Sequence, residues 1–359
     1  QEMSQPVKTF SIGFEEQDFS ELKFARMTAE RFRTDHNEFI VKPETASILP
    51  KLAWHYDQPF ADPSALPSYY VARETRKHVT VALNGDGGDE SFGGYLRYQA
   101  DRIFSMVSSV PRGLRSALAR AARSGILPRS SHFARRIARA ASILDSTPQE
   151  FNFRLFCYFD QETLNPLLGE RMKPTIAQGN VSDYFEGLYS QSDSEEFLDQ
   201  VFDCDTHGYL PECLLVKMDV ATMANSLESR SPFLDHKVME LAARIPPSLK
   251  VHVNGGKWIL KEAMKGFIPD EILYRRKMGF GVPLSQWFKT SLKDFLRDTL
   301  LSRRAAERGY FSHKEVERLV NEHQNNIKDH GYKLWALMMF ELWNNVYVDK
   351  LHNFSGEQS

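Results

Sequence analysis

The segment from Asn84 to Tyr95 combines glycines and carboxylates at a density that indicates a ligand site. Glycines let the backbone turn tightly and bring N–H groups close to an anion. The loop also carries Asp86, Asp89 and Glu90, however, and three carboxylates would repel a bare phosphate. A hard cation removes this conflict, because Mg²⁺ binds one or two carboxylates together with phosphate oxygens. The loop therefore predicts a Mg²⁺–polyphosphate site.

Other interpretations of this loop fit less well. The order of its acids does not match a calcium-binding EF-hand, and the GxxxxGK[ST] pattern of a Walker-type phosphate loop is missing. A structural alternative is an Asp-Gly turn within a hairpin. The helical pattern that begins at Gly94 does not suit a hairpin.

Two later segments carry charge in unusual surroundings. In residues 214–235, Glu228, Arg230 and Asp235 are interleaved with Leu, Met and Phe. Buried charges are costly unless paired, so the structural alternative is that these three pair to fix a corner around Pro232. In residues 274–283 a basic run containing Lys277 is followed by two glycines. Near a polyphosphate, Lys277 would stabilise developing charge. The alternative is a solvated surface loop.

The elements that must position these segments alternate between strands and helices up to about residue 100. Apolar and β-branched runs predict strands, and 3.6-residue periodicity predicts helices. The strands are 7–14, 37–41 and 79–83, and the helices are 21–32, 45–56 and 68–77. This alternation predicts a doubly wound α/β parallel sheet with the acidic loop at a strand end, where such sheets bind ligands. Beyond it, strand signals nearly vanish, so we expect an α/β domain over residues 1–105 and a mostly helical domain over 106–359.

Composition narrows the class of protein. The chain has 359 residues and a net charge of −2, which gives no global field for nucleic acid or membranes. An acid-free, arginine-rich stretch from Arg102 to Ile143 could bind nucleic acid, but solvated helices or a partner domain explain it more simply. No apolar run is long enough to span a bilayer. Three cysteines without a CxxC pair favour reduced thiols and a cytoplasmic location.

Together the three segments resemble the asparagine synthetase family, which also includes β-lactam and carbapenam synthetases. The family has a loop of the form SG(E/D)G(S/G)DExFGGY, a segment ending ExRxPFLD and a lysine in a late RxK loop. Here these are Asn84–Tyr95, Glu228–Asp235 and Lys277. The resemblance extends over about residues 7–340. It implies the ATP-pyrophosphatase type of α/β fold.

The resemblance also implies an activity. MgATP would activate the side-chain carboxylate of aspartate as an acyl-adenylate with release of pyrophosphate, and ammonia would displace AMP to give asparagine. Asp89 matches the Mg²⁺ ligand, and Glu90 is its direct or indirect partner. Asp86 matches an acid that handles protons beside the intermediate, although some members have Glu there. Lys277 matches the lysine that stabilises the pentacoordinate phosphorus. Glu228 and Arg230 complete the catalytic set.

The nucleotide would be held by residues on the first strand and in the acidic loop. Ile12 matches a position that holds adenine and ribose, as does Asn84, where Ser is more frequent in the family. The implied nucleotide-binding set is Ile12, Asn84, Gly85, Gly87 and Gly88.

Two family features are missing from the sequence. The family's SGGxDSS pyrophosphate loop should precede Val7, and a glutaminase domain with a terminal cysteine should supply ammonia from glutamine. We therefore expect a truncated piece of a longer synthetase, with a gap in its sheet that favours homodimers. Two alternatives stay open. One is an amidotransferase for another carboxylate, and the other is a non-catalytic protein that kept the fold.

Overall fold

The computed structural model describes residues 5–42, 47–108, 111, 113, 146–159, 161–176, 179, 181–275, 279 and 281–351. Lys277, residues 43–46 and most of the arginine-rich stretch lie outside this set. Within it, the four strands are β1 (Lys8–Phe14), β2 (Asp35–Val41), β3 (Val81–Leu83) and β4 (Glu228–Arg230).

The α-helices lie mostly in the second half of the chain. They are Leu22–Phe32, Leu49–Tyr56, Ala65–Arg76, Gly88–Phe92, Leu96–Ser108, Pro148–Phe156, Gln161–Leu167, Lys173–Ile176, Val181–Gln191, Phe197–Cys204, Val216–Met223, His236–Ala243, Pro247–Lys250, Trp258–Ala263, Asp270–Leu273, Leu284–Trp287, Lys293–Leu300, Arg303–Arg308, His313–Gln324 and Gly331–Trp343. π-Helical turns cover Asp205–Leu215 and Asn344–Val348, and 3₁₀ turns cover Gln17–Phe19 and Pro232–Leu234.

The strands pair in parallel, which confirms the α/β class. β1 pairs with β2 from Lys8 opposite Asp35 to Phe14 opposite Val41. β3 pairs with β4 from Val81 opposite Glu228 to Leu83 opposite Arg230. In the described part of the chain these are two separate two-stranded sheets. A single doubly wound sheet therefore stays a prediction.

β4 lies in the later part of the chain, where the sequence shows almost no strand signal. Its sequence, Glu-Ser-Arg, contains no apolar residue and so lacks the alternation of apolar and polar residues that predicts a strand. The strand forms because β3 supplies a partner, not because its side chains are buried. The later part of the chain thus contributes directly to the sheet that carries the acidic loop. The boundary at residue 105 stays a prediction.

Two hydrophobic clusters hold these elements. The larger one joins Phe14 at the end of β1 to helices near the end of the described chain, through residues such as Trp287, Trp335 and Met338. The smaller one packs Tyr98, just after the acidic loop, against Phe202 and Val251. Each cluster therefore fixes one end of the region that carries the predicted site.

Two further sequence expectations concern membranes and thiols. Among the helices that the structure describes, none is both long enough and apolar enough to cross a bilayer. Cys157, Cys204 and Cys213 are all unpaired thiols, as expected. Burial raises the pKa of Cys157 to about 11, so this thiol stays protonated at neutral pH.

Candidate active site

The acidic loop follows β3 directly and lies beside the residues that follow β4. The Asn84 backbone N–H donates to the Arg230 carbonyl at 2.9 Å, which extends the parallel ladder by one bond. The carboxyl ends of both strands therefore meet at one edge. In open α/β sheets this edge is where ligands bind.

The Asn84 side chain ties the two segments together. Its amide nitrogen donates to Ser229 Oγ at 2.8 Å and to Asp86 Oδ2 at 2.6 Å. Its carbonyl oxygen accepts a hydrogen bond from the Ser231 hydroxyl, and the Asp86 N–H donates to the same oxygen at 3.2 Å. Asn84 thus holds the Asp86 carboxylate at the mouth of the loop.

A cavity of about 610 Å³ opens at this edge. Four sequence-predicted site residues line it: Asn84, Asp86, Glu228 and Arg230. Asp219, Ser229, Ser231 and Asp235 add further polar groups to the wall. The structure therefore brings together acidic-loop residues and residues about 140 positions later in the chain.

Glu228, Arg230 and Asp235 do not all pair with one another, as the structural alternative for residues 214–235 required. Arg230 Nε lies 2.7 Å from Glu228 Oε1, and their side chains are 67% and 54% exposed. Asp235 instead accepts from the Lys237 N–H at 2.9 Å and caps the helix that begins at His236. A three-way corner is wrong, because β4 directs Glu228 and Arg230 to the solvent side of the cavity.

Gly87 has a φ of +82°, a conformation that side chains with a Cβ rarely adopt. A Cβ there would also lie 2.2 Å from Leu234 Cδ2, and one on Gly88 would lie 3.1 Å from Phe233. These two glycines are therefore needed for close packing against the Pro232–Leu234 turn. By contrast, a Cβ on Gly85 would meet nothing within 4 Å.

Asp89 lies on the helix that follows the glycines, and its Oδ1 is 2.7 Å from Lys257 Nζ. The Lys257 N–H also donates to the Phe92 carbonyl at 3.1 Å. Gly94 makes this approach possible, since a Cβ there would lie 1.8 Å from Asp89 Oδ1. The segment 255–257 is thereby docked onto the end of the acidic loop.

Glu90 faces away from the cavity. It is 2% exposed, and its carboxylate accepts a hydrogen bond from the Tyr95 hydroxyl. Burial raises the pKa of Glu90, partly offset by that hydrogen bond. The Arg97 guanidinium lies 4.7 Å from the Tyr95 ring and is ion-paired with buried Asp205 at 2.6 Å. Glu90 therefore anchors the loop to the helical region, and its role toward a metal stays a prediction.

The electrostatics of Asp86 involve a lysine that sequence reasoning did not single out. Burial raises the pKa of Asp86, while the positive charge of Lys217 and the hydrogen bond from Asn84 lower it. Lys217 is itself buried and donates to Asp62 Oδ2 at 3.0 Å and to Ser64 Oγ at 2.8 Å. The positive charge of Lys217 thus lowers the free-energy cost of ionising the Asp86 carboxyl group.

Ile12 lies apart from this cavity. It lines a separate one of about 380 Å³ between β1 and the helix Leu22–Phe32, together with Phe24 and Arg275. Arg275 is ion-paired with Glu21 on its rim. Because Lys277 falls outside the described residues, the structure does not show how close it comes to either cavity.

A Mg²⁺ ion fits Asp89 better than Glu90. The described residues contain no group of three or more His, Cys, Asp or Glu side chains arranged to hold a metal. Mg²⁺ in nucleotide sites, however, needs only one or two carboxylates beside phosphate oxygens. Asp89 offers such a carboxylate in the first turn of the helix Gly88–Phe92, where one of its oxygens already contacts a cation, the Lys257 ammonium.

Sequence reasoning missed Lys257, Lys217 and Asp62. Lys217 stands alone between Val216 and Met218 in an apolar helix, and an unaccompanied lysine there indicates a buried partner. Lys257 follows a glycine pair, a signal too common to be specific. Asp62 lies in a turn-rich segment in which an Asp is ordinary.

The parallel strands and the acid-rich glycine loop at their carboxyl ends place the chain among α/β proteins that bind a ligand at the strand ends. Comparison with known proteins narrows this class. The family model described as asparagine synthase matches residues 1–345. The chain therefore belongs to the asparagine synthase family.

Curated relatives agree with this assignment. Asparagine synthetase [glutamine-hydrolyzing] 1 of Bacillus subtilis is 33% identical over 348 residues, 96% of this chain and 53% of the relative. A putative asparagine synthetase [glutamine-hydrolyzing] of Mycobacterium bovis is 32% identical over 343 residues, 95% of this chain and 51% of the relative. A more distant relative, Amidase chyE of Penicillium rubens, is 26% identical over 314 residues, 78% of this chain and 44% of the relative. The chain thus spans about half the length of the curated relatives it matches.

Proposed function

We propose that this chain carries the synthetase site for ATP-dependent conversion of aspartate to asparagine. The observation that carries the proposal is the cavity at the ends of β3 and β4, which joins Asn84 and Asp86 to Glu228 and Arg230. The family assignment supports the use of ATP and amide formation. The names of the two synthetase relatives support aspartate and ammonia derived from glutamine as substrates.

The chemistry would proceed in two displacements. An oxygen of the aspartate side-chain carboxylate attacks the α-phosphorus of ATP, and pyrophosphate leaves with the electrons of the broken P–O bond. Ammonia then attacks the acyl carbon of the β-aspartyl adenylate, AMP leaves, and the attacking nitrogen gives up a proton. Asp86 would take that proton: it lines the cavity, and although burial raises its pKa, Lys217 and Asn84 partly offset that rise and favour the ionised form.

The other predicted residues have supporting roles in this proposal. Asn84, Gly85, Gly87 and Gly88 would shape the loop against the nucleotide, and Ile12 would contact adenine from the separate cavity beside β1. Arg230 and Glu228 lie on the exposed wall, where a guanidinium can bind phosphate oxygens. Lys277 would stabilise charge at phosphorus.

Asp89 would hold Mg²⁺ together with phosphate oxygens of ATP. When bound, the ion neutralises charge on the polyphosphate and makes pyrophosphate a better leaving group. Lys257 contacts one oxygen of Asp89, Oδ1, and because a carboxylate has two oxygens with about four lone-pair positions, this contact is compatible with a bound ion. Glu90 would keep its hydrogen bond to Tyr95 and so stabilise the conformation of the loop.

We further propose that both strand pairs belong to one doubly wound sheet of the ATP-pyrophosphatase type. Parallel pairing in both and the ligand-bearing loop at the carboxyl end of β3 support this. A homodimer, a cytoplasmic location and an absence of nucleic-acid partners complete the proposal.

The test uses the complete gene product, including any sequence beyond these 359 residues. Pyrophosphate release is measured with ATP, Mg²⁺ and ammonium or glutamine against a panel of carboxylic acids. We expect release to depend on aspartate and to fall at least 100-fold in Asp89→Asn. Asp298→Asn, an exposed acid on the remote helix Lys293–Leu300, is the matched control. Release with a different acid and none with aspartate would falsify the assignment.

A second candidate is amide formation on another carboxylate. The similarity to Amidase chyE favours it, because that relative shares the family and covers 78% of this chain under a different name. The same panel distinguishes the two, since the acid that supports release identifies the substrate.

A further inference from the structure

Arg97 lies where the acidic loop meets the helical region, two residues after Tyr95. Its guanidinium carbon lies 4.0–5.4 Å from the centres of four aromatic rings, those of Phe156, Tyr98, Tyr95 and Tyr209. Only 13% of its side chain is exposed. A guanidinium is planar, stays charged when buried and stacks on the faces of aromatic rings. The rings therefore fix the position of this cation.

On one side, contacts lead from Arg97 back to the acidic loop. The Tyr95 hydroxyl donates to the carboxylate of Glu90, which is 2% exposed. Glu90 and Asp89 lie together in the first turn of the helix Gly88–Phe92. A displacement of Tyr95 would therefore move the turn that carries Asp89, and the position of the Tyr95 ring depends on the guanidinium beneath it.

On the other side, Arg97 is joined to the π-helical segment Asp205–Leu215. Its Nη1 lies 2.6 Å from Asp205 Oδ2, and the Tyr98 hydroxyl donates to the same oxygen. Asp205 is 1% exposed, and breaking a buried ion pair is costly. Tyr209, one turn later in the same segment, lies over the guanidinium as well. The start of the π-helical segment is therefore attached to Arg97 at two points.

The π-helical segment ends at the cavity beside β3 and β4. Its last residue, Leu215, lines that cavity, and the helix Val216–Met223, which continues it, adds Asp219 to the same wall. Asp86 of the acidic loop lines the cavity too. π-Helical turns are uncommon and recur at functional sites. Arg97 thus lies at the junction of two elements that each end at this cavity.

We propose that Arg97 is a positioning residue that fixes the acidic loop relative to the wall formed by Leu215 and Asp219. Through Tyr95 it orients the turn that carries Asp89, and through Asp205 it holds the start of the segment that leads to the wall. The separation of the two sides aligns the groups bound between them, and a misplacement of about 1 Å can lower a rate about 100-fold. This inference rests on the proposed function and concerns the geometry of the same site.

The first test is Arg97→Lys in the complete gene product. Lysine keeps the positive charge beside Asp205 but lacks the planar group that stacks on the rings. We expect kcat for pyrophosphate release to fall by on the order of 10- to 100-fold, while KM for ATP and for aspartate changes less than about threefold, because the ligands still bind but are misaligned. Arg303→Lys, at an arginine whose side chain is 91% exposed, is the matched control and should change neither constant.

The second test measures amide hydrogen exchange without substrates, which reports local opening segment by segment. In Arg97→Lys we expect exchange to become about tenfold faster in residues 88–95 and in residues 205–219, the two elements that the arginine joins. Exchange in the helix Gly331–Trp343, which packs in the larger hydrophobic cluster, should stay unchanged. A merely structural role of Arg97 would instead accelerate exchange in all three segments.

Two tyrosine variants separate the two sides of the junction. Tyr95→Phe keeps the ring beside Arg97 and removes the hydroxyl that donates to Glu90, so exchange should become faster mainly in residues 88–95. Tyr98→Phe removes the hydroxyl that donates to Asp205, so exchange should become faster mainly at the start of the π-helical segment. Both should lower kcat with KM nearly unchanged, and these variants decide the matter if Arg97→Lys does not fold.

The outcomes separate this inference from the proposed function. If the wild type releases pyrophosphate with aspartate and Arg97→Lys keeps both kcat and the exchange pattern, the positioning role is overturned and the proposed function stands. A rise in KM with unchanged kcat, or faster exchange throughout the chain, overturns the positioning role as well. Absence of release by the wild type with any acid overturns the proposed function, whereas the exchange measurement still decides whether Arg97 joins the two elements.

Discussion

The Lys257 ammonium lies 2.7 Å from the Asp89 carboxylate, although the two residues are 168 positions apart in the chain. The pair neutralises the acid that we assign to Mg²⁺. Lys257 has a φ of +56°, an uncommon value for a residue with a Cβ. Such strain persists where the surroundings enforce it and is frequent at functional sites. An ion pair therefore holds the acidic loop to the segment that contains Lys257.

Gly94→Ala should disrupt this pair. The added Cβ would lie 1.8 Å from Asp89 Oδ1 and 2.4 Å from Lys257 Cε, so one of the two side chains must move. We expect a loss of about 2 kcal/mol in the free energy of unfolding, as for overpacking elsewhere, and a larger loss of pyrophosphate release. Urea denaturation and the release assay measure the two effects. Gly85→Ala, in the same loop but facing open space, is the matched control and should change stability by less than about 0.5 kcal/mol.

Asp86→Asn should lower kcat about 100-fold and leave KM for ATP nearly unchanged, because it removes only proton transfer. Asp86→Glu keeps the carboxylate and should retain most of the activity. Burial raises the pKa of Asp86 above its ordinary value. The active form is ionised, so the rate should rise with pH through that raised pKa. An identical pH profile in Asp86→Asn would exclude Asp86 as the base.

The stability of the protein should fall as pH rises from about 4 to about 7, in part because of Asp101. This residue is 0% exposed, and burial raises its pKa to about 7 from 3.8. Between these values the folded state holds a proton that the unfolded state has lost. Stability therefore decreases with pH, with a slope of up to about 1.4 kcal/mol per pH unit.

Asp101→Asn tests this directly. An asparagine can still accept the hydrogen bond from Asn152, which is 2.8 Å long, but it cannot titrate. Urea denaturation at several pH values should show a flatter dependence than in the wild type. Asp298→Asn, on an exposed helix face, should keep the original slope, and an unchanged slope in Asp101→Asn would contradict the prediction.

Arg308→Met should be strongly destabilising. The Arg308 side chain is only 8% exposed and is ion-paired with Glu341 and Asp349, and Glu341 is buried. Removing the cation leaves an unpaired buried carboxylate, which costs about 3–5 kcal/mol. The control is Arg303→Met, which breaks an exposed pair with Glu307 on the same helix and should cost less than about 1 kcal/mol. Calorimetric melting of both variants gives the comparison.

The sequence alone predicted the α/β class of the fold, which the structure confirms, and a chemistry for the loop, which stays a prediction. Acids among glycines after an apolar run indicate a metal–polyphosphate site wherever the loop lies, because that argument depends on residue types and on local backbone freedom. Helical periodicity and β-branched runs likewise predicted the first strands and helices, because these signals are local in the chain.

Only the tertiary structure decided which distant residues complete the site. β4 forms from Glu-Ser-Arg because β3 offers it a partner, and no local pattern records that pairing. The contacts of Lys257 with Asp89 and of Lys217 with Asp62 join positions more than 150 residues apart. Such pairs are fixed by the packing of the whole chain, since a lysine in an apolar helix indicates that it has a partner but not which residue that partner is. The acidic loop can be identified in the sequence, but only the fold determines which residues from the region of β4 line the cavity with it.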